Sequence, residues 1–245
     1  MTRTYNKTNS LIYKDVDLES DTKLVFLSGL GLGIRKQREG FFRRYALTCG
    51  VSYLALDYTH YVSQFSSEDN FRLDTTLPKT LEVLQATKEK LILCGLCYGG
   101  AMALKVAAQI PERVSGIVMV APLYETPEHP FLEKSVSFLM QKEERLKKHH
   151  FDLQKLQKVI LFRQMIQTLS TFRPMPVSHA YRGSIHIFHG ENDNLVPLDN
   201  SCHIQTALKN PDVHLHVIPK TGHNIISDFE WGIPRKILNG YLGRV

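Results

Sequence analysis

Cysteine is scarce in this chain: four residues in 245, at Cys49, Cys94, Cys97 and Cys202. That is too few for a disulfide-built scaffold, and a reducing, cytoplasmic setting is the simpler expectation. Cys49 and Cys202 lack the spacing of a zinc site, so no metal is expected. No cofactor is expected either. Long apolar runs are missing too, and none approaches the ~20 residues of a membrane span. Met1–Lys7 has no apolar core of the kind a signal peptide needs. Basic residues exceed acidic ones, 30 to 24, for a net charge of +6. They are not interleaved with aromatics, so no nucleic-acid partner is expected. The surplus fits an ordinary basic surface, with an anionic ligand as the sharper alternative. Internal repeats are absent.

Apolar residues make up 43% of the chain, enough for the core of one domain over 1–245. Short buried-strand patterns occur near Ser10–Val16 and at Lys23–Leu27, Val51–Asp57, Lys90–Cys94, Val114–Val120, Ser184–Phe188 and Val213–Ile218. Helical patterns fall between or after them at Arg35–Thr48, Leu77–Thr87, Ala101–Ala108, Asn200–Leu208 and Phe229–Leu242. Asp199 is placed to cap the fourth of these. Strands alternating with helices predict an α/β fold: a mostly parallel central sheet with helices on both faces. Residues 124–182 interrupt the alternation. They carry two helical patterns, Phe131–His149 and Asp152–Thr171, and no strand signal.

Chemistry concentrates at three strand ends. Lys90–Cys94 runs into Gly95-Leu96-Cys97-Tyr98-Gly99-Gly100 and then a helix. Glycines on both sides of Cys97 allow a strained turn that exposes one side chain, with helix N–H groups aimed at it. Asp193 lies in the loop after Ser184–Phe188, and His223 in the loop after Val213–Ile218. Loops at the C-terminal ends of parallel strands share one edge of the sheet, so Cys97, Asp193 and His223 are expected to meet there. Glu191 comes early in its loop for the acid role. His189 reads as structural, as do His186, His214 and His216 in their strands. A third loop, Ser28-Gly29-Leu30-Gly31-Leu32-Gly33, follows Lys23–Leu27 and permits close approach of backbone to a ligand. Cys94-Gly95-Leu96-Cys97 also reads as a redox C-x-x-C. That reading leaves Gly99, Gly100, Asp193 and His223 unexplained, and Cys94 is better placed as a buried strand residue.

Over nearly its whole length the chain resembles the α/β-hydrolase superfamily. The Gly-x-Cys-x-Gly-Gly turn with later Asp and His resembles dienelactone hydrolases. Phe26-Leu27-Ser28-Gly29, Leu54-Ala55-Leu56-Asp57-Tyr58 and His189-Gly190-x-x-Asp193-x-x-Val196-Pro197 resemble abhydrolase-type acyl esterases and thioesterases. The resemblance implies a nucleophile elbow at Cys97 and a triad in the family's chain order, Cys97, Asp193, His223. It implies an oxyanion hole from the N–H groups of Tyr98 and Leu30, with Leu32 and Tyr124 lining the substrate pocket. It implies that 124–182 is a helical cap over the site. The chain departs from the pattern in two places. Ser28 stands where many relatives have His, and Tyr58-Thr59-His60 replaces a glycine-rich turn. The acidic and arginine residues that bind dienelactone have no counterpart.

The expected activity is hydrolysis of a small-molecule carboxylic ester, thioester or lactone through an acyl-thioester on Cys97. Three other readings stay open: a serine-type esterase whose nucleophile has been replaced by Cys, an acyltransferase, and a non-catalytic binder on the same fold. Acyl chain length and oligomeric state are not encoded in any pattern here.

Overall fold

The apolar runs become strands of one sheet, and those from Thr22–Leu27 through Ile185–Gly190 are almost wholly buried. The computed structural model describes residues 3–8, 11–29, 36–58, 73–124, 137, 140–144, 180–223, 225 and 232–243. Its strands are β1 Arg3–Thr8, β2 Leu11–Val16, β3 Thr22–Leu27, β4 Ser52–Asp57, β5 Lys90–Leu96, β6 Val114–Val120, β7 Ile185–Gly190 and β8 Val213–Ile218. They form one eight-stranded sheet in the order β1-β2-β4-β3-β5-β6-β7-β8. From β3 onward neighbouring strands pair in parallel, while β2 runs antiparallel to β4 and β1 antiparallel to β2. In β5 every residue but the first is buried, as a strand covered on both sides requires.

The helices are α1 Lys36–Thr48, α2 Leu73–Gln85, α3 Tyr98–Gln109, α4 Asp199–Leu208 and α5 Gly232–Tyr241. Between β3 and β4 the chain crosses in one direction along the sheet; β4–β5, β5–β6 and β7–β8 cross in the other. Right-handed crossovers therefore put α1 on one face and α2, α3 and α4 on the opposite face. Phe42 of α1 stacks on Phe26 of β3 with ring centroids 5.4 Å apart. The Tyr45 hydroxyl of α1 donates to Asn239 of α5 at 2.7 Å, so α5 closes the same face.

Three local expectations differ. An extra strand, β1, precedes the first expected one. Its sequence, RTYNKT, has no apolar alternation, because an outer strand is held by its backbone pairing with β2. Helix α2 begins a turn before Leu77 and carries Pro78 inside it. Asp199 is the first residue of α4 rather than its cap; Leu198 holds that position, with no side-chain cap bond. The expected helices Phe131–His149 and Asp152–Thr171 lie outside the described residues, except that 137 and 140–144 are helical.

The tightest packing lies where α3 meets the sheet. A Cβ on Gly99 would sit 2.0 Å from the Leu27 carbonyl oxygen of β3, and one on Gly95 2.3 Å from the Gly99 carbonyl oxygen. Backbone occupies both places, so neither can yield by side-chain movement. On β7 and β8, His186, His214 and His216 share one face of the sheet. His186 and His214 stack at 4.7 Å, and His186 Nδ1 lies 2.9 Å from His216 Nε2. Burial and the neighbouring rings of His214 and His216 push the His186 pKa down to about 4, against the pull of Asp212.

Two outcomes follow from this packing. Gly99→Ala is expected to lose more than about 4 kcal/mol of stability, or to give no soluble protein, in urea denaturation; a fold of wild-type stability would contradict the geometry. Because folded His186 resists protonation, stability is expected to fall as pH drops from about 6.5 to about 4. His186→Asn should lose less stability than wild type between pH 7 and pH 4.5, and equal losses would contradict the assignment.

Candidate active site

Cys97 stands between β5 and α3 with φ 52° and ψ −114°. Few non-glycine residues adopt such a conformation, and strain of this kind concentrates where a side chain must be presented. Its own N–H donates to Val120 and its carbonyl accepts from Gly100 and Leu123, so the turn is held from several sides. The next residue, Tyr98, opens α3, where the first N–H groups have no partner within the helix. These are the donors an oxyanion hole uses. The Tyr98 ring is fully buried: its hydroxyl hydrogen-bonds Thr76 of α2, and it packs edge-on against Tyr58 at 5.4 Å. Tyr58 in turn donates its N–H to Ser28 Oγ at 2.9 Å. Ser28 thus ties the end of β3 to the end of β4. Tyr98 contributes main chain to the site and its side chain to the core.

Asp193 and His223 come from different strands but share one laced pair of loops. Asn192 N–H donates to Thr221 at 2.8 Å, Glu191 N–H to Ile218 at 2.9 Å, and Lys220 N–H to Glu191 Oε2 at 3.0 Å. A Cβ on Gly190 would lie 2.5 Å from the Gly222 carbonyl oxygen, so only glycine lets the loops close this far. Glu191 is spent on this lacing, and the acid facing His223 is Asp193. His223 Nδ1–H donates to Asp193 Oδ2 at 2.7 Å. Asp193 Oδ1 accepts the N–H groups of Leu195 and Val196, each at 2.9 Å.

Electrostatics follow from these contacts. Burial opposes the charge on Asp193. Hydrogen bonds from His189 and His223, the charge of His223 and the Val196 N–H outweigh that, and hold the carboxyl well below its usual range. Burial likewise opposes a charged His223. Hydrogen bonds to Asp193 and Cys97, with electrostatic attraction to both, push its pKa up to about 10. The ring lies between Asp193 and Cys97 and interacts with both. This pairing of nucleophile, imidazole and orienting carboxylate is what a covalent acyl-transfer site needs. Cys94 is fully buried and burial pushes its thiol up, which sets it apart from the chemistry.

The structure thus brings together Cys97, Asp193, His223 and the Tyr98 backbone. Tyr124 sits half-buried nearby in sequence to the end of β6, its N–H donating to Asn200 Oδ1 at 2.9 Å. Leu30 and Leu32 lie outside the described residues. One neighbour of the site was read in the sequence as merely structural. His189 contacts Asp193 Oδ2 at 3.3 Å, and its place four residues before the acid was the available signal. Among the described residues, no group of three or more His, Cys, Asp or Glu side chains is arranged to hold a metal ion. No helix among them is long and apolar enough to cross a membrane.

Comparison with known proteins agrees with this architecture. Solved structures align with the chain almost end to end at low identity. A carboxylesterase from the thaumarchaeon Nitrososphaera gargenis superposes with a TM-score of 0.71 at 17% identity, covering 99% of this chain and 98% of its own. The esterase EaEST from Exiguobacterium antarcticum gives 0.69 at 18%, covering 95% of each chain. Mouse alpha/beta hydrolase domain-containing protein 10 gives 0.67 at 15%, covering 99% of each. No curated protein sequence matches the chain. Residues 24–230 match the family described as "Alpha/beta hydrolase family", a span that takes in the Cys97 turn, the Asp193 loop and the His223 loop. The chain is therefore a hydrolase that belongs to the alpha/beta hydrolase family.

Proposed function

We propose that this chain hydrolyses activated carboxylic esters, thioesters or lactones through a Cys97–His223–Asp193 triad. The observation that carries the reading is Cys97 at its positive-φ turn, hydrogen-bonded to a His223 that Asp193 holds through Nδ1. The esterase and carboxylesterase names of structural neighbours favour an ester bond as the target.

Each step uses a group already in place. His223 takes the proton from Cys97. Sulfur attacks the carbonyl carbon, and the oxygen takes the charge towards the Tyr98 N–H and a second donor expected at Leu30. Collapse of the adduct breaks the bond to the leaving group, which takes the proton from His223. The acyl group remains on Cys97 as a thioester. His223, now neutral, removes a proton from water as the water attacks that thioester. The acid departs and the sulfur leaves, restoring the pair of Cys97 and protonated His223. A buried oxyanion donor of this kind contributes about 3–4 kcal/mol to the transition state.

The thiol sets the substrate class. A thiolate leaves an adduct far more readily than a plain alkoxide does, so adducts with simple alkyl esters revert. Thioesters, enol or aryl esters and enol lactones carry leaving groups that compete with sulfur. Leu32 and Tyr124 are proposed to line the pocket, and residues 124–182 to form a helical cap over it that receives the acyl or alkyl part.

Kinetics test the leaving-group argument. Wild type should prefer p-nitrophenyl acetate and an acetyl thioester over ethyl acetate. That preference should shrink at least about tenfold in Cys97→Ser, whose hydroxyl restores ordinary serine-esterase chemistry. Equal preference in the two enzymes would contradict it. Transfer of the acyl group to an added alcohol or amine instead of water would make the chain an acyltransferase. Deleting 131–171 tests the cap: a folded variant should lose its acyl-chain preference, and an unchanged preference would remove the cap from the account.

A further inference from the structure

His189 is a buried imidazole that the reaction as written does not use, and all of its polar atoms are engaged. Nε2 lies 2.8 Å from the Val196 carbonyl oxygen and 3.3 Å from Asp193 Oδ2. Nδ1 lies 2.6 Å from Ser201 Oγ, at the start of α4. The side chains of His189 and Asp193 and the whole of Ser201 are inaccessible to solvent. Two oxygens that can only accept face Nε2, so Nε2 must carry the proton. A lone pair there would meet two acceptors in a site with no water to relieve the repulsion. Val196 and Asp193 thus set the protonation of Nε2, and the Ser201 hydroxyl, able to donate or accept, follows at Nδ1 and fixes the ring's rotation.

Asp193 is then held by four donors. Leu195 and Val196 N–H groups occupy Oδ1, while His223 Nδ1–H and, in part, His189 Nε2–H share Oδ2. We propose that His189, locked by Ser201, is a positioning residue that acts through Asp193, orienting the carboxylate towards His223 and moderating how strongly it holds the imidazolium. The inference rests on the triad reading above, since it concerns the acid of that triad. Donor strength on a shared acceptor works in a definite direction. Electron density that Oδ2 gives to His189 is withdrawn from its bond to His223. Removing the His189 donor leaves a more basic Oδ2, which holds the His223 proton more tightly and makes it harder to pass to a leaving group. Among the described residues, the titratable side chains facing this chain of rings are Asp193 and Cys97, and α4 presents the Ser201 hydroxyl.

The test is ¹⁵N NMR of the histidine rings in full-length enzyme, with pH–rate profiles on p-nitrophenyl acetate. In wild type, Nε2 of His189 should carry a proton; an unprotonated Nε2 overturns the proposal without any variant. His189→Phe keeps ring volume and removes both nitrogens. His223 should then titrate about 0.5–1 pH unit higher, with kcat reduced and KM unchanged. His189→Gln, whose amide N–H reaches the Nε2 position, should return the titration towards wild type. A His223 titration identical in wild type and His189→Phe would reduce His189 to a packing residue. If His189→Phe does not fold, the wild-type tautomer and the His189→Gln titration decide the matter. Absence of an acyl group on wild-type Cys97 would defeat the triad reading instead, and leaves the ring titrations to judge His189 by themselves.

Discussion

The backbone of α3 lies directly against the backbone of β3, because Gly99 offers no side chain between its Cα and the Leu27 carbonyl. Everything chemical at this site depends on that contact. With α3 so close, the chain has one residue in which to reverse from the end of β5 into the helix, and Cys97 takes the resulting φ of 52°. A methyl group at position 99 would push the helix away and displace both the strained Cys97 turn and the first N–H groups of α3 in one step. The buried network behind it, Tyr98 to Thr76 and Tyr58 to Ser28, anchors the same turn to α2 and to the loop after β3.

The second half of the site is an electrostatic arrangement that geometry makes possible. Gly190 lets the loops after β7 and β8 approach until main-chain bonds lace them, and this brings Asp193 to 2.7 Å from His223. Burial makes both charges expensive alone. Together, with main-chain donors on Oδ1 and Cys97 on the far side of the imidazole, each stabilises the other. Asp193 is displaced downward and His223 upward; their mutual contact contributes to both shifts, with His189 adding to the first and Cys97 to the second. An imidazole whose pKa is raised suits the first half of the proposed cycle, in which a leaving group must be protonated. A sulfur nucleophile suits substrates whose leaving groups already depart readily.

Much of this was legible in the sequence, for physical reasons that can be named. Strands buried on both faces are mostly apolar runs, so β3 to β7 stood out, while the edge strand β8 showed by its alternation. The glycines around Cys97 marked a backbone contact that no other residue permits, and parallel pairing alone brought three strand ends to one edge. What escaped the sequence escaped for reasons as specific. β1 has no apolar pattern, because its place comes from pairing with β2 and not from burial. Helix α2 runs through Pro78 because its neighbours, Thr76 and Thr80, are fixed by bonds to Tyr98 and Tyr58. Asp199 has the composition of a cap yet lies inside α4. His189 sits in a strand and reads as structural; its place four residues before Asp193 is the one local sign that the two side chains meet.

The central claim is that Cys97 is the covalent nucleophile. Its most direct test is the intact mass of the protein after brief mixing with p-nitrophenyl acetate and quenching in acid, with Cys97→Ala alongside. The account predicts one added acetyl group in the wild type, mapped to Cys97 and missing from Cys97→Ala. A wild type that neither gains mass nor releases p-nitrophenol, or an acetyl group that persists in Cys97→Ala, would contradict it.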